Sequence, residues 1–162
     1  MRRLPPLLRR AWYSLNQAFR QRIAPLGITP DQYSILRWLS ESPPEGLTQK
    51  EITERMTSDP ATITSTLRRM ETSALLSRTR HESDGRAKRV QLLPKGTSLF
   101  AQAQSIAQKL QNDVLGELTK DEGERFLELL EKIAAACASE IHSPNTSATA
   151  GNLRRPQARP TV

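Results

Sequence analysis

Apolar side chains along residues 7–23 recur every three or four positions: Leu8, Trp12, Leu15, Phe19 and Ile23, with Leu7 and Ala11 widening the stripe. That period predicts an amphipathic helix. A second helix is signalled at Thr29, where a T-x-x-Q capping box with Pro30 at the first helical position precedes Tyr33, Leu36 and Leu39. The proline- and glycine-containing run at 42–46 ends it. Thr48 and Glu51 form another capping box directly after Leu47, so a short helix should start at Gln49. Thr57 and Ser58 interrupt that helix, and Asp59 followed by Pro60 starts a new one whose Ile63, Leu67 and Met70 face inward. Its other face holds Ala61, Thr62, Ser65, Arg68, Arg69 and Thr72. Two strand-like runs follow, Leu75 to His81 and Lys88 to Leu93, around Asp84-Gly85, a hairpin-turn signal.

The remaining pattern is helical again. Leu99, Ala103, Ile106, Leu110, Val114 and Leu118 step by four and three through a long helix over 95–118, weakened near its end by Gly116. A capping box at Thr119 and Glu122 opens a last helix presenting Phe126, Leu127, Leu130, Ile133, Ala134, Cys137 and Ile141, with Glu124, Glu128 and Glu131 outside. The pattern stops after His142; residues 143–162 are polar and proline-containing, which predicts a disordered tail. The fold class is therefore mainly α with a small β-hairpin (α+β). Two short helices joined by a tight turn, the second small, polar and basic outside, describe a helix-turn-helix, and a basic hairpin directly behind it is a wing. Taken alone, the charges of Arg78, Arg80, Arg86, Lys88 and Arg89 have a blander reading as a solvated α+β surface. Their order behind the helix pair favours DNA.

Charge distribution sharpens this. Of the formal +7, residues 1–30 contribute six Arg and no acid, and the helix-turn-helix with its hairpin is also net basic. The segment 97–142 has a net charge of −4, and the tail is basic again. Such asymmetry suits a polyanion at one end of the molecule. The length allows one domain, or one domain with tails. One cysteine excludes an internal disulfide framework and a zinc cluster, and His81 and His142 stand at no ligand spacing. No apolar run reaches membrane-spanning length and the start does not read as a signal peptide, so a cytoplasmic protein with no membrane partner is expected.

The residues then point to a family. The L-T-Q-x-E opening at 47–51, the T-x-x-x-x-L-R-x-M-E helix at 62–71, the exit at Leu75 and Leu76, and the run D-x-R-A-K-x-V-x-L-x-x-K-G at 84–96 resemble the MarR family of bacterial winged-helix regulators. The likeness covers residues 4–141 in element order. Pro94 departs from it, standing where the family usually has a capping Thr. The resemblance implies a homodimer built from the first and last helices; three long apolar stripes near the termini, more than one chain this size covers, suggest the same. A monomeric helical bundle is the alternative. The expected division is a helical dimerisation region (1–28 and 97–142), a winged helix-turn-helix (29–96) and the tail.

No catalytic or cofactor signature is present: no nucleophile elbow, phosphate-cradling glycine loop or metalloprotease helix. The expected function is a sequence-specific, dimeric regulator of transcription, a repressor, binding a pseudo-palindromic double-stranded DNA operator without cofactor or metal. The competing reading is a winged-helix module for protein–protein contact or nonspecific chromosome binding, whose DNA affinity would follow salt alone. Ser65, Arg68 and Arg69 are the candidates for base or phosphate contacts, and Thr62 and Thr64 for phosphate near the helix N-terminus. Arg86 should enter the minor groove, Asp84 hold the wing through an ion pair, and Lys88 and Arg89 touch the DNA backbone. Control by a small aromatic or anionic effector, as the resemblance implies, points to Trp12, Tyr33 and Trp38 with Arg37, Arg10 or Arg20; otherwise the three aromatics are core residues. Oxidation of Cys137 is disfavoured by its alanine-rich, apolar setting near a helix C-terminus.

Overall fold

The computed structural model describes residues 3–80 and 88–142, with the backbone alone at Arg80, Lys88, Ile141 and His142. The expected hairpin turn with Asp84 and Arg86, His81, and the expected basic tail lie outside the described residues. Helix α1 (Leu4–Ile23) starts three residues before the apolar stripe, because Pro5 and Pro6 fit a first turn, where no N–H is required. A 3-10 turn (Ala24–Leu26) and a left-handed Gly27 lead to α2 (Pro30–Ser40). Thr29 Oγ1 accepts from the Gln32 N–H at 3.2 Å while Gln32 Oε1 accepts from the Thr29 N–H at 2.9 Å, the reciprocal cap the spacing predicts.

A strand of two residues, β1 (Leu47–Thr48), precedes α3 (Gln49–Met56), and α4 (Pro60–Thr72) follows the turn. Strands β2 (Leu76–Arg80) and β3 (Lys88–Leu92) complete an antiparallel sheet in the order β1-β3-β2. Val90 of β3 lies opposite both Leu47 and Arg78. Helix α5 (Pro94–Leu115) begins at the proline itself. The start of α5 is held from outside: the Leu93 N–H donates to the Leu75 carbonyl at 3.1 Å, and Lys95 Nζ donates to the Ser73 carbonyl at 2.9 Å. α5 ends at Leu115, one residue before Gly116 and short of the predicted Leu118. Then α6 (Lys120–His142) opens on the Thr119 and Glu122 box.

The chain divides into two compact units, residues 1–114 and 115–162. The first holds one hydrophobic cluster in which Ile35 and Leu36 of α2, Ile52 of α3, Ile63, Leu67 and Met70 of α4, and Val90 of β3 are 2 % exposed or less. Ile23 and Phe100, from the flanking helices, share it. Side chains this buried each contribute about 1.5–3 kcal/mol. Tyr33 and Trp38 pack against the cluster as ordinary core aromatics do, with Tyr33 between Phe19 (ring centroids 4.9 Å) and Phe100 (5.9 Å). Trp12 does not: it is 66 % exposed, and Leu8 and Leu15 on the same stripe are also exposed. In the second unit α6 exposes Phe126, Leu127 and Leu129, and Cys137, expected on an apolar stripe, is exposed as well.

Candidate nucleic-acid interface

α4 is amphipathic in the way its sequence demands. Ile63, Thr66, Leu67 and Met70 are buried, which leaves Ala61, Thr62, Ser65, Arg68, Arg69 and Thr72 exposed on the other side. The turn before it depends on Thr57 in a left-handed conformation (φ 48°), which ends α3. Asp59 then caps α4, accepting from the Thr62 N–H at 2.9 Å. Hydrogen bonds from Thr62, side chain first and then backbone, hold the Asp59 carboxyl below its ordinary value. The Glu51 carboxyl is lowered in the same way, by the Thr48 N–H and then its hydroxyl.

The two helices are stitched by a polar contact that the sequence did not advertise. Gln49 Nε2 donates to Thr64 Oγ1 at 2.6 Å, and that hydroxyl donates to the Pro60 carbonyl at 2.7 Å. Thr64, half-buried, is thus tied both to α3 and to the first turn of its own helix. Thr62 is engaged with the Asp59 carboxylate, which also places a negative charge at the helix N-terminus where a phosphate was expected. Of the residues expected to contact DNA on α4, Thr62, Ser65, Arg68 and Arg69 are exposed and Thr64 is half-buried. Ser65 Oγ donates to the Thr62 carbonyl at 3.1 Å, and Arg69 Nη2 to Thr66 Oγ1 at 3.2 Å. Arg68 is exposed and makes no side-chain hydrogen bond among the described residues.

The hairpin's arginines divide. Arg89, expected on the DNA backbone, is half-buried and donates through Nη1 to the Gly46 carbonyl at 3.0 Å, and Gln91 Nε2 donates to the Pro44 carbonyl at 2.9 Å. The two bonds pin the 42–46 loop to β3. Arg78 turns inward to Glu71 of α4, with Nε at 2.9 Å from Glu71 Oε2 and Nη2 on the same oxygen. The side chain of Lys88, the turn residue Arg86 and Asp84 lie outside the described residues.

The aromatic candidates are not gathered in one place. Tyr33 lies in the ring stack described above, where burial pushes its phenol up. Trp38 is flanked by two guanidiniums, Arg37 at 4.5 Å and Arg55 of α3 at 5.3 Å from the ring centroid. Trp12 stands apart on the exposed face of α1. Among the described residues no group of three His, Cys, Asp or Glu converges as a metal site requires, and no helix is long and apolar enough to cross a membrane.

Comparison with known proteins gives this architecture its place. The model of the MarR family matches residues 28–88, from just before α2 to the first residue of β3. The transcriptional regulator HosA of Escherichia coli O111:H- is 30% identical over 135 residues, covering 80% of this chain and 98% of HosA. The transcriptional repressor CouR, solved bound to a 23-mer DNA duplex, superposes with a TM-score of 0.75 at 29% identity over 82% of this chain and 92% of CouR. The Mycobacterium tuberculosis MarR-family protein Rv2887, solved with salicylic acid, gives a TM-score of 0.67 at 28% identity over 82% of this chain and 97% of that one. Helix pair, three-stranded wing, family model and full-length relatives agree: the chain belongs to the MarR family of transcription regulators.

Proposed function

We propose that the protein is a dimeric, sequence-specific DNA-binding repressor acting in the bacterial cytoplasm, and that it works by occupying its operator rather than by catalysis. The observation that carries this is the outer face of α4, where Ser65, Arg68 and Arg69 stand exposed on a helix whose opposite face is buried. A rigid helix with short polar and guanidinium side chains outward suits the major groove, where Arg pairs with guanine in two-point fashion. Two copies presenting α4 about one helical turn apart require a pseudo-palindromic operator. The first helix with 97–142 supplies the dimer, residues 29–96 read DNA, and 143–162 add a basic tail. The exposed Leu4, Leu7, Leu8, Trp12 and Leu15 of α1 and the exposed apolar side chains of α6 are the surfaces a second copy covers.

The wing contributes Arg86 to the minor groove, with Asp84 ordering it and Lys88 on the phosphate backbone. Arg86→Ala is expected to weaken binding by about 1–3 kcal/mol with the fold intact. The test is a gel shift at fixed salt on the DNA just upstream of the protein's own coding region, with excess nonspecific competitor. Wild-type protein that shows no preference over competitor would overturn the function itself. A mutant that binds like wild type would remove the wing from the reading.

A small aromatic acid is the proposed effector, as the salicylate complex of Rv2887 suggests. Trp38, beside Arg37 and Arg55, offers a ring and cations to such a molecule, with Trp12 and Tyr33 as the further aromatic candidates. It acts by binding more tightly to a spacing of the two α4 helices that DNA does not accept. Redox control is not part of the proposal, because Cys137 lies far along α6 from its N-terminus, flanked by Ala136 and Ala138. Cys137→Ser should therefore leave both operator affinity and its response to peroxide unchanged. A peroxide-induced loss of binding that vanishes in the variant would refute this.

A further inference from the structure

We infer that Glu71 and Arg78 are positioning residues that set the angle between α4 and the wing, so that helix and wing engage DNA as one unit. The inference rests on the proposed reading of these two elements as the DNA-contacting surface. Two donors of the Arg78 guanidinium, Nε and Nη2, converge on Glu71 Oε2. The Arg78 side chain is only 12 % exposed, so it is withdrawn from any phosphate, and that of Glu71 is 36 % exposed. Beside the apolar packing that α4 shares with Leu76 and Val90, the chain passes from α4 to the wing through a three-residue corner in which Ala74 is left-handed (φ 57°). The corner is closed by N–H donation from Ser73 to the Arg69 carbonyl, from Ala74 to that of Glu71 and from Leu75 to that of Met70. The ion pair spans that corner, one partner in the last turn of the helix and the other in the middle of β2.

Strand β2 is in continuous register with β3, from Leu76 opposite Leu92 to Arg80 opposite Lys88. A tilt fixed at Arg78 is therefore passed along the whole ladder toward the turn. An ion pair with one partner withdrawn from water and the other partly exposed adds little net stability. What it adds is direction, because a guanidinium is planar and its donors have a fixed geometry that a lysine ammonium cannot reproduce. Arg78→Lys keeps the charge and loses the orientation, which makes it the diagnostic variant.

The experiment is a double-mutant cycle on DNA binding, using a duplex selected by wild-type protein from a randomised library. Affinities at fixed salt are compared for wild type, Arg78→Lys, Arg86→Ala and the double variant. Arg78→Lys and Arg86→Ala should each weaken binding by roughly tenfold, the scale of one lost specific contact. The double variant should be no more than about threefold weaker than either single one, because residues acting as a unit are not additive. Glu71→Gln is the second route to the same effect, needed if Arg78→Lys fails to fold by circular dichroism. The exchanged pair, Glu71→Arg with Arg78→Glu, should recover part of the affinity. Losses that multiply, or an Arg78→Lys and a Glu71→Gln protein that both bind like wild type, overturn the positioning role while leaving the proposed function standing. An Arg86→Ala protein that binds like wild type removes the wing from the proposed function and this inference with it.

Discussion

Gly46→Ala is expected to destabilise the first unit by about 2–4 kcal/mol, a large share of what holds an ordinary domain together. Two separate penalties meet there. Gly46 has φ 76°, in the left-handed region where an L side chain costs roughly 1 kcal/mol or more. A Cβ at that position would also run into the Val90 carbonyl of β3 and come within 2.8 Å of Gln91 Cγ. The backbone of β3 cannot yield without disturbing the Val90–Leu47 pairing, and with it β1 and the Thr48 cap that starts α3. Gly27 supplies the control, since its φ is 70° but nothing stands within 4 Å of an added Cβ. Gly27→Ala should lose only the conformational term, about 1 kcal/mol. Urea unfolding followed by circular dichroism separates the two; equal losses would mean that the contact with β3 is not what Gly46 is for.

The second large effect concerns assembly. Leu15→Glu should leave each chain folded, because Leu15 is 45 % exposed and outside the core cluster, yet abolish the dimer. Every large apolar side chain buried between copies contributes on the order of 1.5–3 kcal/mol, and a carboxylate in its place must be desolvated without a partner. Operator affinity should then fall by about 10²–10⁴, the advantage lost when two half-sites are no longer bound by one linked pair. Sedimentation velocity at micromolar concentration reads the assembly and a binding titration reads the consequence. Wild-type protein that sediments as a monomer would end the palindrome argument.

The elements were legible where their signals are short-range. Thr29 with Gln32, Thr48 with Glu51 and Thr119 with Glu122 each declare a helix start within four residues, and all three reciprocal caps form. The inward stripe Ile63, Leu67, Met70 follows from helical periodicity alone, and its burial fixes which side of α4 is polar and exposed. The bonds that decide which polar residues remain available were not legible. Gln49 meets Thr64 across the turn, Arg78 reaches back to Glu71, and Arg89 finds the carbonyl of Gly46 from 43 residues away. Hydroxyls and guanidiniums at these positions look alike in sequence whether they face DNA or a neighbouring backbone. Strand β1 escaped because two residues cannot show an alternation. The stripe on α1 places Trp12 among positions that something covers, but a helical stripe does not state which chain covers it.

The two tryptophans end up in unlike surroundings: Trp12 is largely in water on α1, and Trp38 lies half-buried between α2 and α3 beside the guanidiniums of Arg37 and Arg55. Indole emission moves to shorter wavelength when water is withdrawn and dims when a charge or a quenching ligand approaches the ring. The chain thus carries two indoles in two separate settings, one on the exposed apolar face of α1 and one against the helix pair. With a phenylalanine in place of either indole, the light from the other reports its own event without any attached dye.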